Sequence, residues 1–231
     1  MAHLHALPTG HELHGYRIER VLGAGGFGIT YLASEPMIGR HVAIKEFLPG
    51  SIAARDAGTL AVRPLLPADE ETFRWGLKRF RNEARTLVSF RHPNIVQVYR
   101  FFEANGTAYL VMAYEKGASL AEILKAQRTL SEAELSALLD PLLDGIARVH
   151  AAGFLHRDIK PANIVVRADG SPALIDFGAA RQSFGEKSHS SRAIVSPGYA
   201  PFEQYASSAE QGPWTDLYAL GATLYCCVTG T

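Results

Sequence analysis

His156-Arg157-Asp158-Ile159-Lys160-Pro161-Ala162-Asn163, followed by Asp176-Phe177-Gly178, decides how the rest of the chain is read. The two stretches set a proton acceptor (Asp158), a cation (Lys160) and two oxygen-bearing metal ligands (Asn163, Asp176) close together in sequence. Phosphoryl transfer calls for such a set, because its loose transition state needs positioning and charge neutralisation more than covalent chemistry. Each side chain alone would read as a loop carboxylate or amide closing a turn. Their joint spacing is what points to chemistry.

Toward the N-terminus, Gly23-Ala24-Gly25-Gly26-Phe27-Gly28 follows G-x-G-x-x-G. Dinucleotide-binding folds share that pattern, but there a helix follows the glycines and an acidic residue comes about twenty positions later. Here Ile29-Thr30-Tyr31-Leu32 continues as a strand. The reading is therefore strand–turn–strand, with backbone amides able to approach phosphates closely and Phe27 as a cover. Val42-Ala43-Ile44-Lys45 is an apolar strand segment carrying one charge. Alone, Lys45 reads as a strand-edge lysine with its ammonium in water. Glu83 follows Phe80 by three residues and precedes Leu87 by four, so it lies near the inward face of the next helix. Glu70 and Glu71 are rivals at the helix start, where acidic residues serve the dipole.

Together these motifs resemble the protein kinase family from about Tyr16 to Thr231. The phrases Gly28-Ile29-Thr30-Tyr31-Leu32 and Lys45-Glu46-Phe47-Leu48-Pro49 are similar to its bacterial, eukaryotic-like members. The resemblance implies an α+β, two-lobed fold with a small β-rich N-lobe and a mostly helical, incomplete C-lobe. It implies ATP and Mg²⁺ as cofactors and a protein substrate with a Ser or Thr acceptor. Lys45, paired with Glu83, would clamp the α- and β-phosphates. Asp158 would accept the substrate hydroxyl's hydrogen bond, Lys160 would neutralise the γ-phosphate, and Asn163 and Asp176 would hold the metal. Leu22, the segment Gly23 to Gly28, Thr30, Ala43, Met112 and Val165 would surround the nucleotide, with the backbone of Ala113 and Glu115 bonding the adenine edge.

The same resemblance gives regulatory and substrate-loop roles to Arg157, Ser196 and Glu203. Arg157 would pair with a phosphate on the segment after Asp176, where Ser183, Ser188, Ser190 and Ser191 are candidate acceptors; a loop ordered without phosphate is the other reading. Ser196 would bond to Asp158 and Lys160. Asp216 would anchor the catalytic loop's backbone. Lys160 places the chain with serine/threonine kinases, and Arg157 separates it from small-molecule kinases with H-G-D. The usual C-lobe continues for several helices beyond Asp216, so Glu203 is expected to lack its usual arginine and apolar surface to be exposed. A second reading is therefore kept: a kinase-like module that binds nucleotide or a partner protein with little or no catalysis.

Composition sets the remaining bounds. Lys plus Arg (23) balance Asp plus Glu (23), so no general attraction to nucleic acid or to a membrane surface is implied. Hydrophobic residues at 47% fit a globular chain. No apolar run reaches membrane-spanning length. The adjacent Cys226 and Cys227 fit a reduced, cytoplasmic setting. Residues 1–14 read as a flexible tail, with His11-Glu12-Leu13-His14 one residue short of a zinc-binding H-E-x-x-H. Residues 15–114 read as the N-lobe, with an insertion loop without clear period at 49–69 and a helix at 70–90. Residues 115–119 read as a hinge and 120–231 as the partial C-lobe. There Ser131 and Glu134 form a capping box and Pro141 lies inside the helix.

Overall fold

Alternation of buried apolar residues along Tyr16–Gly25 (β2), Gly28–Glu35 (β3) and Arg40–Phe47 (β4) builds the main sheet of the first unit. In the computed structural model, which describes residues 5–177, 195–206 and 209–231, that sheet has six strands. Glu12–Leu13 (β1), Val98–Ala104 (β7) and Thr107–Ala113 (β8) complete it in the order β1-β2-β3-β4-β8-β7. Every neighbouring pair is antiparallel. The chain divides into two units, Met1–Phe90 with Gln97–Tyr114, and Arg91–Val96 with Glu115–Thr231.

The first unit carries one long helix, Glu70–Leu87 (α1), which buries Phe73, Gly76, Phe80, Ala84 and Leu87 at three- and four-residue steps. Phe47 of β4 meets Phe73 and Phe80 at ring distances of 5.5 and 5.6 Å, fixing α1 to the sheet. The helix ends at Leu87, short of the expected Phe90, because Val88 to Phe90 tighten into turns.

Two expectations for this unit are corrected. Residues 5–13 are no loose tail: Leu7 and Leu13 are buried, β1 pairs with Tyr16 and Arg17, and Gly10 and His11 exchange backbone hydrogen bonds with Ile18. The insertion at 49–69 is ordered as well. Ala53–Arg55 (β5) pairs with Val62–Pro64 (β6), and a 3-10 turn at Pro67–Asp69 leads into α1.

The second unit centres on the buried residues Leu120, Leu124, Leu138, Leu142, Ile146, Ile159, Ile164, Leu174, Leu220 and Cys227. They come from Leu120–Gln127 (α2), Glu132–Ala151 (α3), Pro213–Thr229 (α4) and the hairpin Ile164–Arg167 (β10) with Pro172–Leu174 (β11). The expected Ser131–Glu134 capping box is present, and α3 runs unbroken past Pro141. Within the expected hinge, Gly117–Ser119 (β9) is a strand that pairs with β10, and Ser119 caps α2. The outer face of α4 exposes Trp214, Leu217, Tyr218, Tyr225 and Val228. No helix among the described residues is long and apolar enough to cross a membrane.

Candidate active site

Asp216, in the first turn of α4, is fully buried and accepts the backbone amides of His156 (2.8 Å to Oδ2) and Arg157 (2.7 Å to Oδ1). His150 of α3 meets the same Oδ2 at 2.7 Å. The carboxylate thus grips two consecutive amides from one side, as charge-assisted bonds hold a loop best. Arg157 has φ +66°, a left-handed conformation that costs a non-glycine residue and persists only when its surroundings enforce it. Its carbonyl is gripped too, by Nε2 of Gln204 at 2.9 Å.

That clamp presents Asp158, whose side chain is nearly buried. Ser196 Oγ donates to Oδ1 at 2.7 Å, and Asn163 Nδ2 donates to Oδ2 at 2.7 Å and to the Asp158 carbonyl at 2.8 Å. Lys160 Nζ lies 3.1–3.2 Å from the two carboxylate oxygens and donates to Ser196 Oγ at 2.7 Å. Asp158, Lys160, Asn163 and Ser196 are therefore one hydrogen-bonded cluster. The 3-10 turn Pro161–Asn163 delivers Asn163, whose carbonyl accepts the Ile175 amide at 2.9 Å and so ties Asp176 to the same loop. Asp176 has φ +64°, and Phe177 tilts against the His156 ring with centroids 4.5 Å apart.

Burial pushes the His156 imidazole below its ordinary pKa, against the pull of the Asp216, Asp158 and Asp176 carboxylates. Its ring Nδ1 accepts the Asp158 amide at 3.3 Å, and Nε2 reaches the Ile175 carbonyl at 3.2 Å. One acceptor and one donor nitrogen describe a neutral ring protonated at Nε2.

In the first unit, Gly23 to Gly25 are the exposed end of β2, paired with Gly28 to Thr30 of β3; Gly26 and Phe27 make the turn, and Phe27 is buried, its carbonyl accepting the Leu48 amide at 2.9 Å. Phe27 is thus packed inward at the turn, not displayed as an outer cover. Gly28 has a steric reason: a Cβ there would lie 1.8 Å from the Glu46 carbonyl oxygen. Lys45 is half-buried in the middle of the sheet, opposite Thr30 on β3 and Leu110 on β8. Glu83 is half-buried on α1, beside the buried Ala84. Leu22 and Thr30 are half-buried, and Ala43 and Met112 are paired across β4 and β8 and buried. The Ala113 amide already donates to Gln97 at 2.8 Å, so that group is committed within the sheet.

Glu115 opens the second unit, its side chain paired with Arg167 Nε at 2.7 Å. Val165 is buried on β10. Thr215 Oγ1 donates to Oε1 of Glu203 at 2.8 Å, so a neutral hydroxyl partners the carboxylate. Gly178 and the candidate acceptors Ser183, Ser188, Ser190 and Ser191 lie outside the described residues.

Sequence reading missed Gln204 and His150, because neither type nor spacing marks a residue that binds a backbone or carboxylate far away in sequence. It also missed Glu46, which is completely buried and lies next to Lys45.

The chain belongs to the protein kinase family: the protein kinase domain model matches residues 16–231. Similar curated proteins include serine/threonine-protein kinase PknA of Nostoc sp., 34% identical over 93% of this chain and 37% of that protein. PrkC of Bacillus subtilis is 33% identical over 93% of this chain and 30% of that protein. The chain thus spans about a third of the length of these relatives. Among solved structures, "PpkA-294 apo form" superposes with a TM-score of 0.89 at 40% identity, over 98% of this chain and 80% of that one. The PknI kinase domain of Mycobacterium tuberculosis gives 0.72 at 26% identity, over 98% and 77%.

Proposed function

We propose that this chain is a catalytically active serine/threonine protein kinase domain, transferring the γ-phosphate of ATP to Ser or Thr hydroxyls of protein substrates. The observation that carries the reading is the cluster on Asp158, in which Ser196, Lys160 and Asn163 all hold one carboxylate. A pseudo-catalytic binding module has no need of a carboxylate fixed by three donors beside a strained backbone.

Within the proposal each residue has one task. Asp158 accepts the hydrogen bond of the acceptor hydroxyl and takes its proton as the new bond forms. Lys160 sits at that carboxylate and offers positive charge where the phosphate develops negative charge. Asn163 spends its amide nitrogen on Asp158, and in this reading its Oδ1 serves a cation; with Asp176 it makes an all-oxygen donor pair. Such a pair fits Mg²⁺, which takes one or two protein oxygens and completes its shell with phosphate and water. Bound MgATP supplies the phosphoryl group and the metal that spreads its charge.

Leu22, Gly23 to Gly28, Thr30, Ala43, Met112 and Val165, with the backbone of Ala113 and Glu115, are assigned to the nucleotide, and Lys45 with Glu83 to its phosphates. Arg157 and Glu203 serve the substrate segment. Protein substrates, autophosphorylation in trans and a cytoplasmic setting belong to the same proposal, in line with the serine/threonine kinases that the chain resembles.

The test is transfer of radiolabelled phosphate from ATP with Mg²⁺ to the chain itself and to a basic generic acceptor, beside the Asp158→Ala variant. Label that vanishes in the variant supports the proposal. A folded wild-type chain that binds ATP yet transfers no label overturns it in favour of a binding module.

A further inference from the structure

Glu46 follows the candidate phosphate lysine directly, and strand alternation sends its side chain to the opposite face of β4. That face would ordinarily meet water. Here the Glu46 carboxylate is 0% exposed and collects partners from three other strands of the unit. Tyr31 of β3 donates to Oε2 at 2.8 Å, and Tyr109 of β8 donates to Oε1 at 2.6 Å. The Arg55 guanidinium of β5, its side chain 3% exposed, also pairs with Oε2. Arg55 in turn donates to the His5 carbonyl at 2.8 Å and the Leu60 carbonyl at 2.6 Å, and the Tyr31 hydroxyl accepts the Leu7 amide at 3.1 Å. The N-terminal segment and the insertion hairpin are thus fastened to the sheet through one carboxylate.

The backbone of the same residue stands at the root of the glycine turn. Glu46 is paired with Ile29, its carbonyl lies where a Gly28 side chain would be, and two residues on Leu48 donates to Phe27. The insertion begins at the next residue. We propose that the Glu46–Arg55 pair is a clasp that sets the position of the glycine turn, making Glu46 and Arg55 positioning residues for nucleotide binding and residues 5–13 the strap it holds. The proposal rests on the kinase reading for its effect on ATP, but not for the clasp itself.

Removing one partner of a buried charge pair leaves the other uncompensated, whereas removing both charges together is often tolerated. The test is therefore the double variant Glu46→Gln/Arg55→Met, which keeps an amide for the two tyrosines and cuts the links to His5 and Leu60. Amide hydrogen exchange without nucleotide would be read at Leu7 in the strap, Leu48 at the turn, and Ile44 in the sheet. The clasp predicts exchange roughly tenfold faster at Leu7 and Leu48, with Ile44 unchanged. In the transfer assay it predicts an ATP KM raised about fivefold with kcat within about twofold, since only positioning of the bound nucleotide is lost.

Faster exchange at Leu7 with unchanged protection at Leu48 overturns the proposal, because the pair would then hold the strap alone. Equal acceleration at Ile44 also overturns it, as loss of the whole sheet. Should the double variant not fold, Arg55→Lys, which keeps the charge and shortens the reach, is read at the same three amides by the same criteria. A wild-type chain that transfers no phosphate would overturn the kinase reading only, since the exchange rates decide the clasp without ATP.

Discussion

Ser196 donates a 2.7 Å hydrogen bond to Oδ1 of Asp158, bringing residues 195–206 onto the catalytic loop. The same hydroxyl accepts from Lys160, so one oxygen relays between the cation and the carboxylate. A hydrogen bond to a charged group contributes about 1.5–3 kcal/mol. Ser196→Ala is expected to lower kcat by roughly 10- to 100-fold if that positioning is lost in the transition state. Ser196→Thr, which keeps the hydroxyl, should retain most activity, and steady-state kinetics with ATP KM unchanged would check both.

Gly28 and Gly23 share a motif but differ in what surrounds them. A Cβ on Gly28 would lie 1.8 Å from the Glu46 carbonyl oxygen, a backbone atom that cannot step aside, whereas a Cβ on Gly23 would meet nothing within 4 Å. Gly28→Ala should force β3 and β4 apart at a cost of about 1–3 kcal/mol. In thermal melts without nucleotide this is a fall of several degrees, while Gly23→Ala should stay close to wild type.

Lys45→Met keeps a similar stem and removes the ammonium from a half-buried strand position. On the proposed role it should lower phosphate transfer by roughly 100-fold or more, as loss of one charge-stabilising donor does elsewhere. The melting temperature should stay near that of wild type. Transfer at the wild-type rate would remove the phosphate clamp from the assignment of Lys45.

What was legible in the sequence follows from how local each signal is. The apolar spacing of α1 and the Ser131–Glu134 box are local, and so is the spacing of Asp158, Lys160 and Asn163 along one loop; each appears where the pattern placed it. Glu46 was not legible, because a polar residue after Lys45 matches ordinary alternation toward water. Only the docking of residues 5–13 and β5 turns that face into an interior. The insertion hid its hairpin for a related reason. Its Ala- and Gly-rich sequence lacks the β-branched run of a strand, and Arg55 holds it through two carbonyls and a carboxylate. The Gln204 link to the Arg157 carbonyl is likewise invisible until the chain has folded.

Asp216 is a second test of the catalytic loop. Asp216→Ala would leave the buried amides of His156 and Arg157 without their charged acceptor, each costing about 1–3 kcal/mol. For a chain of this size that is a fall in melting temperature of roughly 10 °C, together with loss of transfer as Asp158 loses its footing. Gln204→Ala removes only the carbonyl-side grip on Arg157 and should lower kcat with a much smaller change in melting. Equal effects of the two variants on melting would show that the two grips carry similar weight.

His156 connects loop geometry to pH. Its ring is fully buried, with burial holding its pKa below the ordinary 6.5 despite three nearby carboxylates. In the unfolded chain the ring takes a proton near pH 6.5, but in the folded chain only at lower pH. The unfolded state therefore binds more protons in that window, and stability falls as pH drops below about 6.5. The loss has a slope of up to about 1.4 kcal/mol per pH unit and levels off once the folded ring also protonates. Above pH 6.5 this contribution is complete. Denaturant unfolding between pH 7.5 and 5 should show the decline, and His156→Gln, neutral throughout, should lower stability overall yet flatten the slope in that window. An unchanged slope in the variant would assign the acid sensitivity to another group.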